Sequence, residues 1–217
     1  MSTDHRFDSV ELVPASIVRP FARAAVFAAL TGVAAIAELQ TPLSPAPVTL
    51  QVLFVFLAGL YLGPVWGSIS MLLYLAAGAV GAPVYSGGDA GLGILFGNTG
   101  GFLLSYPVAA FVIGVPVHGR AGLGLGSGWP WRPGERNDFF DRVIVRDPAD
   151  APLPVLVFAL AVGALVVYAF GAAYVTILLD LSPATATVQY VVPFLPVEFL
   201  KLIAALLVVR AGPIDLT

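Results

Sequence analysis

Glu198 and Lys201 are the residues of this 217-residue chain whose type and position most clearly invite chemistry. They stand in Pro193-Phe194-Leu195-Pro196-Val197-Glu198-Phe199-Leu200-Lys201, inside the last long apolar stretch, and Lys201 is the only lysine. A charge at the centre of a membrane-spanning helix costs about 2.5–3.5 kcal/mol on insertion scales, and such residues usually mark function. Residues three apart share a helix face, so this carboxylate and ammonium can point into one cavity and hold a polar solute there. The pair could also serve packing alone, each charge neutralising the other. A purely structural pair, however, can be replaced by apolar residues at little loss, which favours the binding reading.

The elements that position this pair must lie in lipid. Mean hydropathy is +0.93, with 59% hydrophobic and only 11% charged residues, a profile far from that of soluble domains. The expected class is an all-α integral membrane protein in the cell membrane. With no cysteine there is no disulfide, thiol nucleophile or cysteine-ligated metal. The two histidines, His5 and His118, read as lying in or near tails and loops, so no metal site is expected. A net charge of −3 carries no nucleic-acid signal.

A span needs about 20 mostly apolar residues. Six are read, at roughly 18–39, 48–62, 65–82, 94–117, 153–179 and 188–210, as a single membrane domain over 18–210. Tails occupy 1–17 and 211–217, and a polar loop holding Trp129 and Trp131 occupies about 118–152. Spans two and three are short and meet at Leu62-Gly63-Pro64, as a tight helical hairpin or one broken unit; Gly and Pro suit that reversal. With six spans, all nine arginines fall on the side holding both termini, and none on the side of segments near 40–47, 83–93 and 180–187. The positive-inside rule then places both termini in the cytoplasm. Arg19, Arg23 and Ala35-Ile36-Ala37 imitate a cleaved signal peptide, but removing the first span would oppose that arginine partition.

Ala24, Ala28 and Gly32 recur at four-residue spacing in the first span, beside Ala25 and Ala29. Small residues so spaced let another helix approach closely, whether inside this chain or in a partner. Two segments on the arginine-free side are unusual. Thr41-Pro42-Leu43-Ser44-Pro45-Ala46-Pro47 is rigid and runs into Val48-Thr49-Leu50-Gln51, and the stretch from Gly81 to Gly101 is rich in glycine. Irregular backbone at membrane depth survives only where it is buried in protein or lines a cavity, which would put Gly97-Asn98-Thr99-Gly100-Gly101 at a cavity wall or mouth. An ordinary glycine-rich turn with a helix cap is the other reading.

Pro193 and Pro196 cannot both sit inside regular helix. The regular part is expected to begin near Pro196, and 188–195 to be kinked or unwound. From Pro196 to Arg210 the rise is only about 22 Å, short of a bilayer core of about 30 Å. Glu198 then falls in the first turn, where the helix dipole favours an anion. Side chains lean toward a helix N-terminus, so Lys201 reaches back toward Glu198.

Several of these segments together resemble the BioY family, the biotin-binding S component of energy-coupling factor (ECF) vitamin transporters. The resemblance rests on Pro47-Val48-Thr49-Leu50-Gln51, on Leu57-Ala58-Gly59-Leu60 with Leu62-Gly63-Pro64 and Gly67, and on Tyr74 to Tyr85. Gly91-Leu92-Gly93, Thr99-Gly100-Gly101-Phe102-Leu103 and Pro193 to Lys201 complete the order. About half the chain is covered. The resemblance implies a six-helix S component that binds biotin reversibly, needs no other cofactor, and works with a membrane coupling (T) subunit and two ATPase subunits. It also implies that Glu198 and Lys201 contact biotin, that the loops over 41–51 and 83–99 cover it, and that the Ala24, Ala28 and Gly32 face meets the coupling subunit. Where the family has Gly-Asp, this chain has Val197-Glu198; its Gly-Pro-Thr-Gly-Gly appears as Gly97-Asn98-Thr99-Gly100-Gly101, and its Gly-Phe as Ser105-Tyr106.

Biotin offers ureido N–H donors and a carbonyl, an apolar thioether ring and a carboxylate. Glu198 can accept from ureido N–H and Lys201 can donate to the ureido oxygen. Asn98 and Gln51 can do both, Thr99 adds a hydroxyl, and Tyr74 and Tyr85 could pack the ring. The chain has no phosphate-binding Gly-rich Lys-Ser/Thr loop, so ATP hydrolysis would come from partners. Two other classes stay open. A self-sufficient or ion-coupled carrier would share the broken helices and midplane charges. An intramembrane enzyme using Glu198 is disfavoured by the lack of convergent titratable groups; Glu38 reads as an interfacial residue.

Overall fold

The computed structural model describes residues 15–42, 44–125 and 139–212. Most of both expected tails and the Trp129–Trp131 stretch lie outside them, and the first helix starts at Ala15, inside the expected tail. In chain order the elements are α1 (Ala15–Ile36), β1 (Glu38–Thr41), β2 (Ser44–Thr49) and α2 (Gln51–Ala79). There follow α3 (Leu92–Leu95), α4 (Gly100–Gly122), α5 (Leu153–Leu178), α6 (Pro183–Tyr190) and α7 (Leu195–Arg210). The fold is thus not purely helical. The proline-rich segment joins 38–41 in an antiparallel hairpin, pairing Glu38 with Thr49 and Leu39 with Val48.

Where six spans are expected, five helical stretches among the described residues are long and apolar enough to cross a bilayer. Expected spans two and three are merged in α2, which leaves helical geometry at Gly63 (φ 74°, ψ −177°). At this point the chain turns back on itself. Gln51 is hydrogen-bonded to Tyr74, two residues that a continuous helix would hold about 34 Å apart at 1.5 Å per residue. The backbone of Gly63 requires glycine, since this region of conformational space excludes a Cβ. Most of α2 is buried, and α1, α4 and α7 pack around it.

The reversal leaves one carbonyl without its helical donor. Leu60 would receive a bond from residue 64, and Pro64 has no N–H. The Nε2–H of His118, near the end of α4, donates to the Leu60 oxygen at 2.8 Å, while the Arg146 backbone N–H donates to Nδ1 at 3.0 Å. His118 is therefore not a loop residue, as the sequence suggested, but a fully buried one joining the α2 turn, α4 and the segment before α5. Its removal in His118→Ala leaves two polar groups unpaired, each worth about 1–3 kcal/mol when buried. We expect a loss of about 2–4 kcal/mol in thermal or denaturant unfolding of the detergent-solubilised chain; an unchanged transition would refute this role.

The last apolar stretch is broken as the prolines require. Helix α6 ends at Tyr190, Val191 adopts φ −123°, ψ −57°, one 3-10 turn spans Val192–Phe194, and α7 starts at Leu195. At its far end, Arg210 donates to the carbonyls of Ala149 and Ala151, both at 2.9 Å. Charge is spread unequally along the described residues. The β-hairpin, the 81–99 segment and the turn after α5 carry no Lys or Arg among them, whereas Arg146 meets His118 beside the α2 turn and Arg210 joins the segment before α5.

Candidate ligand site

Glu198 occupies the first turn of α7 and Lys201 the next. Lys201 Nζ lies 3.2 Å from Glu198 Oε2, with the two residues only 5% and 3% exposed. A third side chain joins them: the Tyr168 hydroxyl, from α5, donates to the same Oε2 at 2.7 Å. Glu198 Oε1 is buried and has no partner among the described residues. Its lone pairs remain available to a donor, and a hydrogen bond to a charged group is among the stronger ones.

Beside this cluster is a narrow, partly open cavity of about 50 Å³, whose walls approach closely. Polar lining comes from Thr49, Gln51, Ser86, Thr99 and Lys201, and aromatic lining from Phe102, Tyr106, Tyr168 and Phe194. Ala46 and Pro47 of β2 contribute from the hairpin. Such a mostly apolar wall with a few directed polar groups suits an amphipathic solute. A second, more open pocket adjoins it, sharing Pro47, Ser86 and Thr99 and lined also by Glu38, Asp89 and Asn98.

Gln51 ties the roof to the floor. Its Oε1 accepts from Thr49 Oγ1 at 2.7 Å and from Ser86 Oγ at 3.4 Å, and its Nε2 donates to the Tyr74 hydroxyl. One amide thus links β2, the 81–91 segment and the second arm of α2.

Of the residues singled out in the sequence, Lys201, Gln51 and Thr99 line the cavity, and Glu198 stands behind Lys201 and Tyr168. Asn98 lines the outer pocket instead. Tyr74 lies behind Gln51, stacked on Tyr106 with ring centres 6.2 Å apart. Tyr85 is fully buried over Gly78, where a Cβ would collide with its ring, and its hydroxyl donates to the Leu75 carbonyl at 2.8 Å. It pins the 81–91 segment to α2. On α1, Ala24 is fully buried, its carbonyl accepting from Ser70 Oγ at 2.8 Å, and Gly32 is covered by Val84. The small residues facing outward are Ala22, Ala25 and Ala29.

Sequence reasoning missed Tyr106 and Tyr168. A signal existed for the second: tyrosines in membrane helices favour the interfaces, whereas Tyr168 stands well inside α5.

Comparisons with known proteins bear on the family and the fold. A probable biotin transporter BioY of Pyrococcus horikoshii is 45% identical over 91 residues, covering 42% of this chain and 55% of that protein. The biotin transporter BioY of Thermotoga maritima is 41% identical over 98 residues, 45% of this chain and 57% of that one. The chain thus spans about half the length of these relatives. The biotin transporter BioY of Rhizobium etli is 33% identical over 172 residues, 77% of this chain and 78% of that protein. A crystal structure of the S-component for biotin from an ECF-type ABC transporter superposes with a TM-score of 0.69, covering 89% of this chain and 90% of that one. At 22% identity this likeness speaks to the fold alone, that of an ECF S component. With its several apolar helices the chain is a multi-pass membrane protein. A model of the BioY family matches residues 4–214, which takes in the hairpin, the α2 reversal and the Glu198–Lys201 cluster together: the chain belongs to the BioY family.

Proposed function

We propose that this chain is the biotin-binding, substrate-specificity subunit of an ATP-driven ECF-type vitamin transporter. One observation carries the reading: two opposite charges buried in an apolar bundle, beside a cavity lined by polar and aromatic side chains, with one carboxylate oxygen unpaired. The names of the relatives supply the ligand. The ureido N–H groups of biotin fit Glu198 Oε1, the Lys201 ammonium and the Gln51 amide fit an acceptor, and Phe102, Tyr106 and Phe194 fit the apolar ring. Binding is reversible and non-covalent.

The same reading takes the two arms of α2 as separate spans, giving six, with both termini in the cytoplasm. The arginine-bearing end supports that orientation. A coupling subunit and two ATPase subunits would supply the energy, and contact with the coupling subunit falls to the first helix. Because Ala24 and Gly32 are covered from within, the outward Ala22, Ala25 and Ala29 would make that contact beside Ala28.

Calorimetric titration of biotin into the detergent-purified chain tests the assignment. We expect saturable one-to-one binding, weaker binding of dethiobiotin, and little of lipoate, which lacks ureido N–H groups. Equal affinity for lipoate and biotin would remove the ligand assignment. Biotin uptake by vesicles holding this chain alone, driven by an ion gradient, would identify a self-sufficient carrier instead.

A further inference from the structure

A glutamate reaches further than an aspartate but has more freedom, so something must aim it. Lys201 alone could pair with either carboxylate oxygen. Here both donors converge on Oε2: Lys201 Nζ at 3.2 Å and the Tyr168 hydroxyl at 2.7 Å. Two donors from different helices fix the plane of the carboxylate and leave Oε1 with its full accepting capacity, buried and unpartnered. Tyr168 is itself well held. Phe102 meets its ring edge-on with centres 6.1 Å apart, and Phe194 lies against it at 6.2 Å. These rings restrict the phenol, and with it the oxygen it binds.

Resting on the biotin-binding reading, we propose that Tyr168, which lines the cavity in front of Glu198, is a positioning and specificity residue: it holds Glu198 by Oε2 and so reserves Oε1 for an N–H donor of a ligand that enters past it. The class of ligand that this selects is a cyclic urea or amide, whose N–H meets Oε1. A carboxylate-bearing amphipath without N–H leaves that oxygen unpaired, and a site built around a hydrogen bond rejects strongly the analogue that lacks it. Tyr168 thus connects α5 to the discrimination made in α7. Phenylalanine keeps the ring and its packing while removing the donor.

The test is a double-mutant cycle on the full chain in detergent, with biotin and lipoate titrated into the unaltered protein, Tyr168→Phe, Glu198→Gln and the double variant. Tyr168→Phe is expected to weaken biotin about 10–30-fold, which is about 1.4–2 kcal/mol, and to narrow the preference for biotin over lipoate. In the Glu198→Gln background the same substitution should cost about threefold or less, because the group it aims has already been changed. A merely structural tyrosine gives losses that multiply in full and leaves the biotin-to-lipoate ratio unmoved. Either result, or biotin affinity unchanged in Tyr168→Phe, overturns the inference alone. Failure of the unaltered chain to bind biotin overturns the functional reading and this inference with it.

Discussion

Lys201→Ala is expected to weaken biotin binding about 10–100-fold and to destabilise the chain by about 3–5 kcal/mol. The stability figure is that of breaking a buried ion pair from one side, which leaves the other charge uncompensated. The affinity figure follows from losing one hydrogen bond to a charged group, about 1.5–3 kcal/mol. These two effects need separating, since an unstable protein also binds poorly. The double variant Glu198→Gln with Lys201→Met does so. It removes both charges at nearly constant volume and so leaves no uncompensated buried charge, the source of the single variant's loss. We expect its unfolding transition to return close to that of the unaltered chain while biotin binding stays lost. A double variant that recovered both would reduce Glu198 and Lys201 to packing residues.

Gly63→Ala is the second large effect, expected at about 3 kcal/mol. The φ of 74° and ψ of −177° place this residue in a region that is essentially glycine's alone, at about 1–3 kcal/mol for other residues. A Cβ there would also stand 3.3 Å from Cδ2 of His118. That ring cannot retreat, because both its nitrogens are engaged. Gly88→Ala is the matched control: φ is again positive, at 87°, but nothing lies within 4 Å of the added carbon. It should show strain without the tight contact and unfold at distinctly milder loss. Equal transitions for the two variants would mean that the fit between the turn and His118 contributes nothing.

Much of this arrangement was legible in the sequence because lipid enforces simple rules. Charges in apolar stretches stand out, so Glu198 and Lys201 could be found without a structure. Prolines cannot be helical in pairs, so the break before α7 could be placed to within a few residues. What escaped depended on contacts between distant segments. The β-hairpin was hidden by Pro45 and Pro47, which argue against strand from local chemistry; only pairing with Glu38 and Leu39 reveals it. His118 read as a loop residue because its partners, Leu60 and Arg146, are 58 and 28 residues away. Tyr85 had the right type for a ligand contact but is fixed by Gly78 and Leu75, whereas Tyr168 carried no motif at all. A small-residue stripe shows that something packs closely, not what; on Gly32 it proves to be Val84.

The reversal at Gly63 also bears on how the protein is made. From Gln51 to Leu62 the first arm rises about 18 Å, and from Pro64 to Ala79 the second rises about 24 Å, at 1.5 Å per residue. Neither matches the thickness of the hydrocarbon layer, about 30 Å, so neither is a good candidate to leave the insertion machinery singly. The Leu60 oxygen, moreover, gains its His118 partner only once α4 has been synthesised. The central element of the bundle must therefore wait, half-finished, for a later part of the chain, and biogenesis should stall or turn to degradation when translation products end before residue 118.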